Sequence, residues 1–355
     1  MAATASLWLL DLCTEYGVAS YLKGISSHLP GHNVPTPICH NDIPAGFQAE
    51  LRVVAQRIIE ATTHQSTPAP LQFYRLLRDT FAFPVALKWN ARSHGACVSN
   101  NQRGDSPEFE ARLQEQFPPC HELPPMNSPF SIVDDAEEVV FIYLPDMLLP
   151  ERQGYNDTLY ISRNLGAAAG RADNAAQISA QTWLAANIET GLLLSTALAI
   201  AHPAQYRETR QALGYLASLP EFNRHMQQWT FAFNAVTLIC NRLTPLHRDR
   251  ASGGAGFYDL LLSIGGGPRT ILSLPGLGIR VQYDSGTVAM FSGHQHTHEV
   301  WGFEEERACI ACYARPPVIR WLGGQNPARP TGPSTLPEGW WQALIGIPEV
   351  RRAGV

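Results

Sequence analysis

The sequence predicts an α+β fold: a jelly-roll-type barrel or sandwich of short strands with flanking helices. Three observations predict it. From Thr230 onward, short β-type segments follow one another: FAFNAVTLIC, GFYDLLLSIG, RTILSLPG, GIRVQY, TVAMFSG and RACIACYA. Turn signals separate them, notably Gly265-Gly266-Gly267-Pro268 and Asp284-Ser285-Gly286. Upstream the apolar periodicity is helical, so helices buttress the strands.

In chain order, ISSHLPGHNVPTPICHNDIPAG (25–46) reads as a Pro/Gly-punctuated loop, and FQAELRVVAQRIIEAT as an amphipathic helix. LQFYRLLRDTF predicts a second helix. Residues 97–130 read as exposed connection, apart from a helical pattern in PEFEARLQEQF. EEVVFIYLP (137–145) is the first strong strand, and 176–217 is mostly helix, interrupted at Pro203. These segments divide the chain into a helical and loop-rich elaboration (1–135), a strand domain with supporting helices (136–325) and a tail packed on the core (326–355). In that tail Trp340 and Trp341 belong to a packed helix.

The composition, 45% hydrophobic and 16% charged over 355 residues, is that of a globular chain. No apolar run reaches the ~18–20 residues of a membrane span; GLLLSTALAIA reads as a buried helix, and the chain is expected to be soluble. Its start lacks a basic region and Asp11 interrupts the apolar stretch, so it is expected not to be secreted. Seven cysteines without secretory context point to reduced thiols in the nucleus or cytoplasm. A net charge of −5 predicts no nucleic-acid partner from global electrostatics. Only Lys23 and Lys88 are lysines, so a local arginine-lined groove stays compatible with phosphate binding.

The chemistry concentrates in NRLTPLHRDRASGG (241–254), which lies between two strand patterns. Residues two apart on a strand point to one side, so His247 and Asp249 can present an imidazole and a carboxylate together. They supply two thirds of a 2-His-1-carboxylate facial triad, which holds non-haem Fe(II) with open positions. The third ligand must come from FSGHQHTHEVW, where His294, His296 and His298 share one parity and alternation does not choose among them. Arg307 opens the otherwise apolar RACIACYAR; a cation there needs an anionic partner, and a bidentately gripped dicarboxylate such as 2-oxoglutarate satisfies it.

Together, HxD (His247, Asp249), a histidine 51 residues on (298 − 247), His298-Glu299-Val300 and Arg307 at the start of a last strand resemble the Fe(II)/2-oxoglutarate dioxygenases. NRLTPLHRD, YDLLLSIG, LPGLGIRVQYDSGTVAMFSG and RACIACYAR are similar to the TET/JBP nucleic-acid base oxygenases, compact fungal type, over about residues 230–316. The resemblance implies a double-stranded β-helix, jelly-roll and cupin-like. It implies His247, Asp249 and His298 as iron ligands, with His298 favoured because it precedes Arg307 by nine residues, against eleven for His296 and thirteen for His294. It further implies Arg307 and Arg242 as 2-oxoglutarate contacts, O2 as second co-substrate, and Tyr313 as the aromatic that stacks on a flipped base. Two positions depart from the animal members, which carry a base-reading histidine where this chain has Arg315 and Asn/Asp where it has Ser252. The cysteine-rich zinc-binding segment of those members is absent.

The expectation is therefore an enzyme that oxidises the methyl group of a methylated base in DNA, 5-methylcytosine first and N6-methyladenine second, on duplex with base flipping. The alternatives are a 2-oxoglutarate-dependent hydroxylase of a protein or small molecule, and a non-catalytic cupin-like binding protein. Other features carry plainer readings. Cys309 and Cys312 lack a second pair and read as core thiols. His28, His32, Cys39 and His40 match no standard zinc spacing. Arg248 and Arg250 fit phosphate contact and surface ion pairing equally.

Overall fold

The computed structural model describes residues 2–26, 45–63, 73–82, 84–99, 106–118, 126–148, 174–220, 222, 226–250 and 252–330. Helices α1 (Ala2–Ser26), α2 (Ala45–Thr63) and α3 (Phe73–Ala82) come first. They are followed by β1 (Val85–Ala86), α4 (Ala91–Ser99), α5 (Pro107–Gln116), β2 (Phe130–Val133) and β3 (Val139–Leu144). The helical tract is α6 (Asn174–Ala186), α7 (Ile188–Ala201) and α8 (Pro203–Ser218). Its second break falls where the sequence predicts it, at Pro203, whose ring starts α8 and whose missing N–H costs nothing there. α7 is buried from Thr190 to Ala201, which explains its apolar residues on every face. Among the described residues, no single helix is long and apolar enough to cross a membrane.

Eight strands then follow: β4 (Ala235–Cys240), β5 (Thr244–His247), β6 (Asp259–Gly265), β7 (Ile271–Leu274), β8 (Ile279–Gln282), β9 (Val288–Phe291), β10 (His298–Trp301) and β11 (Arg307–Tyr313), before a short α9 (Pro316–Trp321). Two sheets result, making the fold a mixed α+β one. The larger has the order β1-β2-β3-β9-β6-β11-β4, the smaller β5-β10-β7-β8. Apart from the hairpin β7–β8, each successive strand from β4 to β11 changes sheet.

Two cores define three layers. Alternate residues of the large sheet (Leu260, Leu262, Met290, Ile310, Cys312) pack with α1, α2, α3 and α7. The intervening ones (Leu261, Ala289, Phe291, Cys309, Ala311) face the small sheet, with Leu272, Leu274, Val281 and Val300. β3 is buried along its whole length, as a strand covered on both faces must be.

Three sequence expectations need correction. Among the described residues the strands after Thr230 number eight rather than six, because β5 and β10 are only four residues long and carry polar side chains. The stretch 97–130 is more than connection: Val98 is buried in α4, and Phe130 opens the buried β2. β1 and β2 belong to the same sheet as the downstream strands, so residues before 136 help build it. The His28–His40 group and Trp340 and Trp341 lie outside the described residues.

Candidate metal centre and anion pocket

β5 and β10 set the histidines opposite each other: His247 pairs with His298 in register, and their ring centroids are 4.3 Å apart. β5 ends at His247, so Asp249 is not on a strand as its parity with His247 presumed. It sits in the following turn, where its N–H donates to Gly293 O at 2.9 Å. Similarly, His294 and His296 lie in the turn before β10. The outcome is still convergence: ligand atoms of His247, Asp249 and His298 all lie within 4.8 Å of one another. Nε2 of His247 is 3.4 Å from Asp249 Oδ1, and Nε2 of His298 is 3.4 Å from Asp249 Oδ2.

The other ring nitrogens are occupied. His247 Nδ1 contacts the carbonyls of Pro245 (2.8 Å) and His298 (3.1 Å), and His298 Nδ1 that of His296 (3.1 Å). A ring that donates from Nδ1 keeps its Nε2 lone pair free, which is the tautomer a metal ligand needs. Burial would raise the Asp249 carboxyl, but the histidine hydrogen bonds and charges overcome it and hold the group well below the usual carboxylate range. The hydrogen bond to Asp249 raises His247 against the opposing effect of burial. Two imidazoles and one carboxylate are the donor set of the facial triad, and the His247–Asp249–His298 group could hold a metal ion.

His296 is placed elsewhere. It is buried, stacks on His94 at 5.4 Å and 13°, and packs edge-on against Trp89. Burial, then the charges of His94, Arg329 and Arg248, drive it well below its ordinary value.

Arg307 begins β11 on the inter-sheet face and is 3% exposed. Its Nε and one terminal nitrogen are buried with no hydrogen-bond partner. Tyr283 lies beneath it, with the guanidinium carbon 5.3 Å from the ring centroid, and the Tyr283 hydroxyl lies 3.7 Å from Cys309 Sγ. Burial raises the Cys309 thiol, the Arg307 charge lowers it and the Asp249 charge raises it, so Cys309 feels both ends of the site. The Gly-Gly-Gly-Pro turn leaves room for this: Gly266 sits at φ +87°, and a Cβ there would meet Thr270 Oγ1 at 2.7 Å and Arg307 Cδ at 3.1 Å. The two unbonded guanidinium nitrogens could take a carboxylate.

The remaining nominated residues are distributed differently. Tyr313 shares the face of Arg307, and its hydroxyl lies 3.2 Å from Thr237 Oγ1. Arg315 is half-buried with its Nε unpartnered, while Arg242 is exposed in the β4–β5 turn. Ser252 is buried and donates its hydroxyl to Asp259. Arg248 is buried too: it donates to Gln295 O at 2.9 Å and forks Glu110 of α5, so it is committed inside the protein. Sequence reasoning passed over Asp259 and Tyr283. A lone charge in the apolar run YDLLLSIG was the available signal for the first.

No protein-family model matches the chain, and no curated protein matches it. Among solved structures it is similar to NgTET1 in complex with 5mC DNA. The identity is 14%, the TM-score 0.44, and the alignment covers 65% of this chain and 93% of that one.

Proposed function

We propose that the protein is an Fe(II)/2-oxoglutarate-dependent dioxygenase acting on a methylated base in DNA. The observation that carries the reading is the pairing of two features between the same sheets: a convergent His247–Asp249–His298 donor set and a buried Arg307 with two nitrogens that lack a hydrogen-bond acceptor. In the same reading β4–β11 form a double-stranded β-helix. Its support is the strand order β4-β11-β6-β9 facing β5-β10-β7-β8, the order that two interleaved Greek keys produce.

When bound, iron with 2-oxoglutarate and O2 supplies oxidation of an unactivated methyl C–H, with succinate and CO2 as by-products. The chain's own part is binding and aim. His247 and His298 offer Nε2, Asp249 its carboxylate, and Arg307 grips the far carboxylate of the co-substrate. The apolar wall of Phe291 and Val300 keeps bulk water from the inter-sheet space. Tyr313 provides a π-face for an extruded base, and Arg315 replaces the base-reading histidine with a donor of a different shape. The DNA substrate, 5-methylcytosine ahead of N6-methyladenine, rests on the motif resemblance over residues 230–316, and nuclear localisation follows from that substrate.

The test is nucleoside mass spectrometry on duplex DNA carrying both methylated bases, incubated with the protein, Fe(II) and 2-oxoglutarate, with His298→Ala as control. Loss of one methylated base, with its oxidised or demethylated product only for the intact protein, is the expected result. Consumption of 2-oxoglutarate with both bases unchanged moves the substrate to a protein or small molecule. No consumption at all leaves a cupin-like binding protein.

A further inference from the structure

Asp259 opens β6 and is the only charge in YDLLLSIG. It is 2% exposed and faces between the sheets with Leu261. A carboxyl group in such a place is costly unless its oxygens are hydrogen-bonded. Both are: Ser252 Oγ donates to Oδ1, and the Gly293 N–H donates to Oδ2 at 3.1 Å. Each donor belongs to a segment that carries a candidate ligand. The Ser252 N–H bonds Asp249 O at 3.0 Å, and Gly293 O accepts the Asp249 N–H at 2.9 Å in the turn that leads to His298. The contacts close a ring that runs Asp249, Ser252, Asp259, Gly293 and back to Asp249. The ring is also tight, because a Cβ on Gly293 would stand 2.3 Å from Asp259 Oδ2 and 3.1 Å from Asp249 Oδ2.

We propose that Asp259 is a positioning residue for the metal centre, holding the turn after Asp249 and the turn before His298 in one register through its two hydrogen bonds. It is outside the ligand set and acts through the backbone of its neighbours. The inference rests on the metal-binding part of the proposed function. Without the Asp259 side chain the Ser252 hydroxyl and the Gly293 N–H lose their buried partner, and the two ligand-bearing turns lose their shared tie.

Co(II) titration of the full-length apo-protein, read by visible absorption and paired with thermal unfolding of the apo form, tests it. Asp259→Ala is expected to weaken Co(II) binding by about 10–100-fold, the usual effect of removing an outer partner of a metal ligand. Asp259→Asn can accept from Gly293 and donate to Ser252, so it is expected within about threefold of wild type. Ser252→Ala removes one of the two bonds and should weaken binding by roughly three- to tenfold while the apo-protein still folds. If Asp259→Ala does not fold, the other two variants decide. Wild-type affinity in Ser252→Ala overturns the proposal. An Asn variant far weaker than threefold also overturns it, since charge rather than hydrogen bonding would then be the cause. Equal Co(II) binding by wild type and His298→Ala is a different failure: it removes the metal centre itself, and this proposal with it.

Discussion

The two ends of the inter-sheet space are built on opposite principles. At the His247–Asp249–His298 end, each histidine has its Nδ1 on a backbone carbonyl, and the carboxylate is held by both rings. At the Arg307 end, a guanidinium more deeply buried than His247 or Asp249 has two nitrogens with no hydrogen-bond partner. The first end is organised by the protein alone and needs an ion only to complete it. The second is incomplete in contacts: Tyr283 lies under the guanidinium, yet Nε and one terminal nitrogen still lack an acceptor that a carboxylate would supply.

That contrast is broken most severely by exchanging the roles. Arg307→Met should remove 2-oxoglutarate binding by at least about a hundredfold, as expected for losing a charge-assisted buried contact. It should also leave the ligand-free protein at least as stable, to within about 1 kcal/mol, since two unbonded buried nitrogens and the Tyr283 contact are exchanged for an apolar chain of similar length. Isothermal titration with 2-oxoglutarate and chemical denaturation check both halves, and a destabilised apo-protein would contradict the account. At the other end, His298→Ala should lose more metal affinity than the roughly 10–100-fold that outer partners cost, whereas His296→Ala should stay within about that lower limit. Co(II) titration of the two variants separates the histidines that alternation leaves equivalent.

Two buried histidines outside the triad give a pH prediction. Burial lowers His94 from 6.5 to about 4, helped by Arg248 and Arg329, and burial also lowers His202 to about 4. His202 is fixed as a neutral ring: Nδ1 accepts the Gln205 N–H at the start of α8, and Nε2 donates to Gly256 O at 2.7 Å. Folded pKa values below the unfolded ones mean full stability above about pH 6.5 and loss as the pH falls towards 4. The loss is on the order of 3 kcal/mol per ring. Urea midpoints between pH 7 and 4 check it, and His202→Gln should flatten part of the slope. The smallest effect is expected at α5. Ser106 caps that helix through the Phe109 N–H, so Ser106→Ala should cost about 1 kcal/mol, read as faster hydrogen exchange in α5.

The legible parts of the chain were those governed by period and punctuation. The helices around FQAELRVVAQRIIEAT and the long strand EEVVFIYLP follow from apolar spacing, and the Gly-Gly-Gly-Pro turn from its residues. HxD nominated His247 and Asp249, and the nine-residue spacing to Arg307 that the resemblance implies nominated His298; ligand atoms of all three lie within 4.8 Å of one another. β5 and β10 were illegible because four-residue strands with Pro, His and Glu have no period to show, and their pairing is a long-range contact. Parity therefore nominated Asp249 with His247 although the strand stops between them. Ser252 was read for a substrate base and Arg248 equally for phosphate or a surface carboxylate; Ser252 instead bonds Asp259 seven residues on, and Arg248 bonds Glu110 of α5, distant in sequence.

The pairing of β3 with β9 bears on how this chain can be divided. Phe141 to Leu144 hydrogen-bond along the whole of Val288 to Phe291, and β2 and β1 extend the same ladder. A fragment trimmed to the residues that carry the motifs would strip one side of β9 and leave an apolar row of amides and carbonyls open to any passing strand. Such a fragment would be a template for aggregation, though every candidate ligand in it were present. The upstream segment acts here as a built-in molecular cover for the strand that would otherwise be the edge of the sheet.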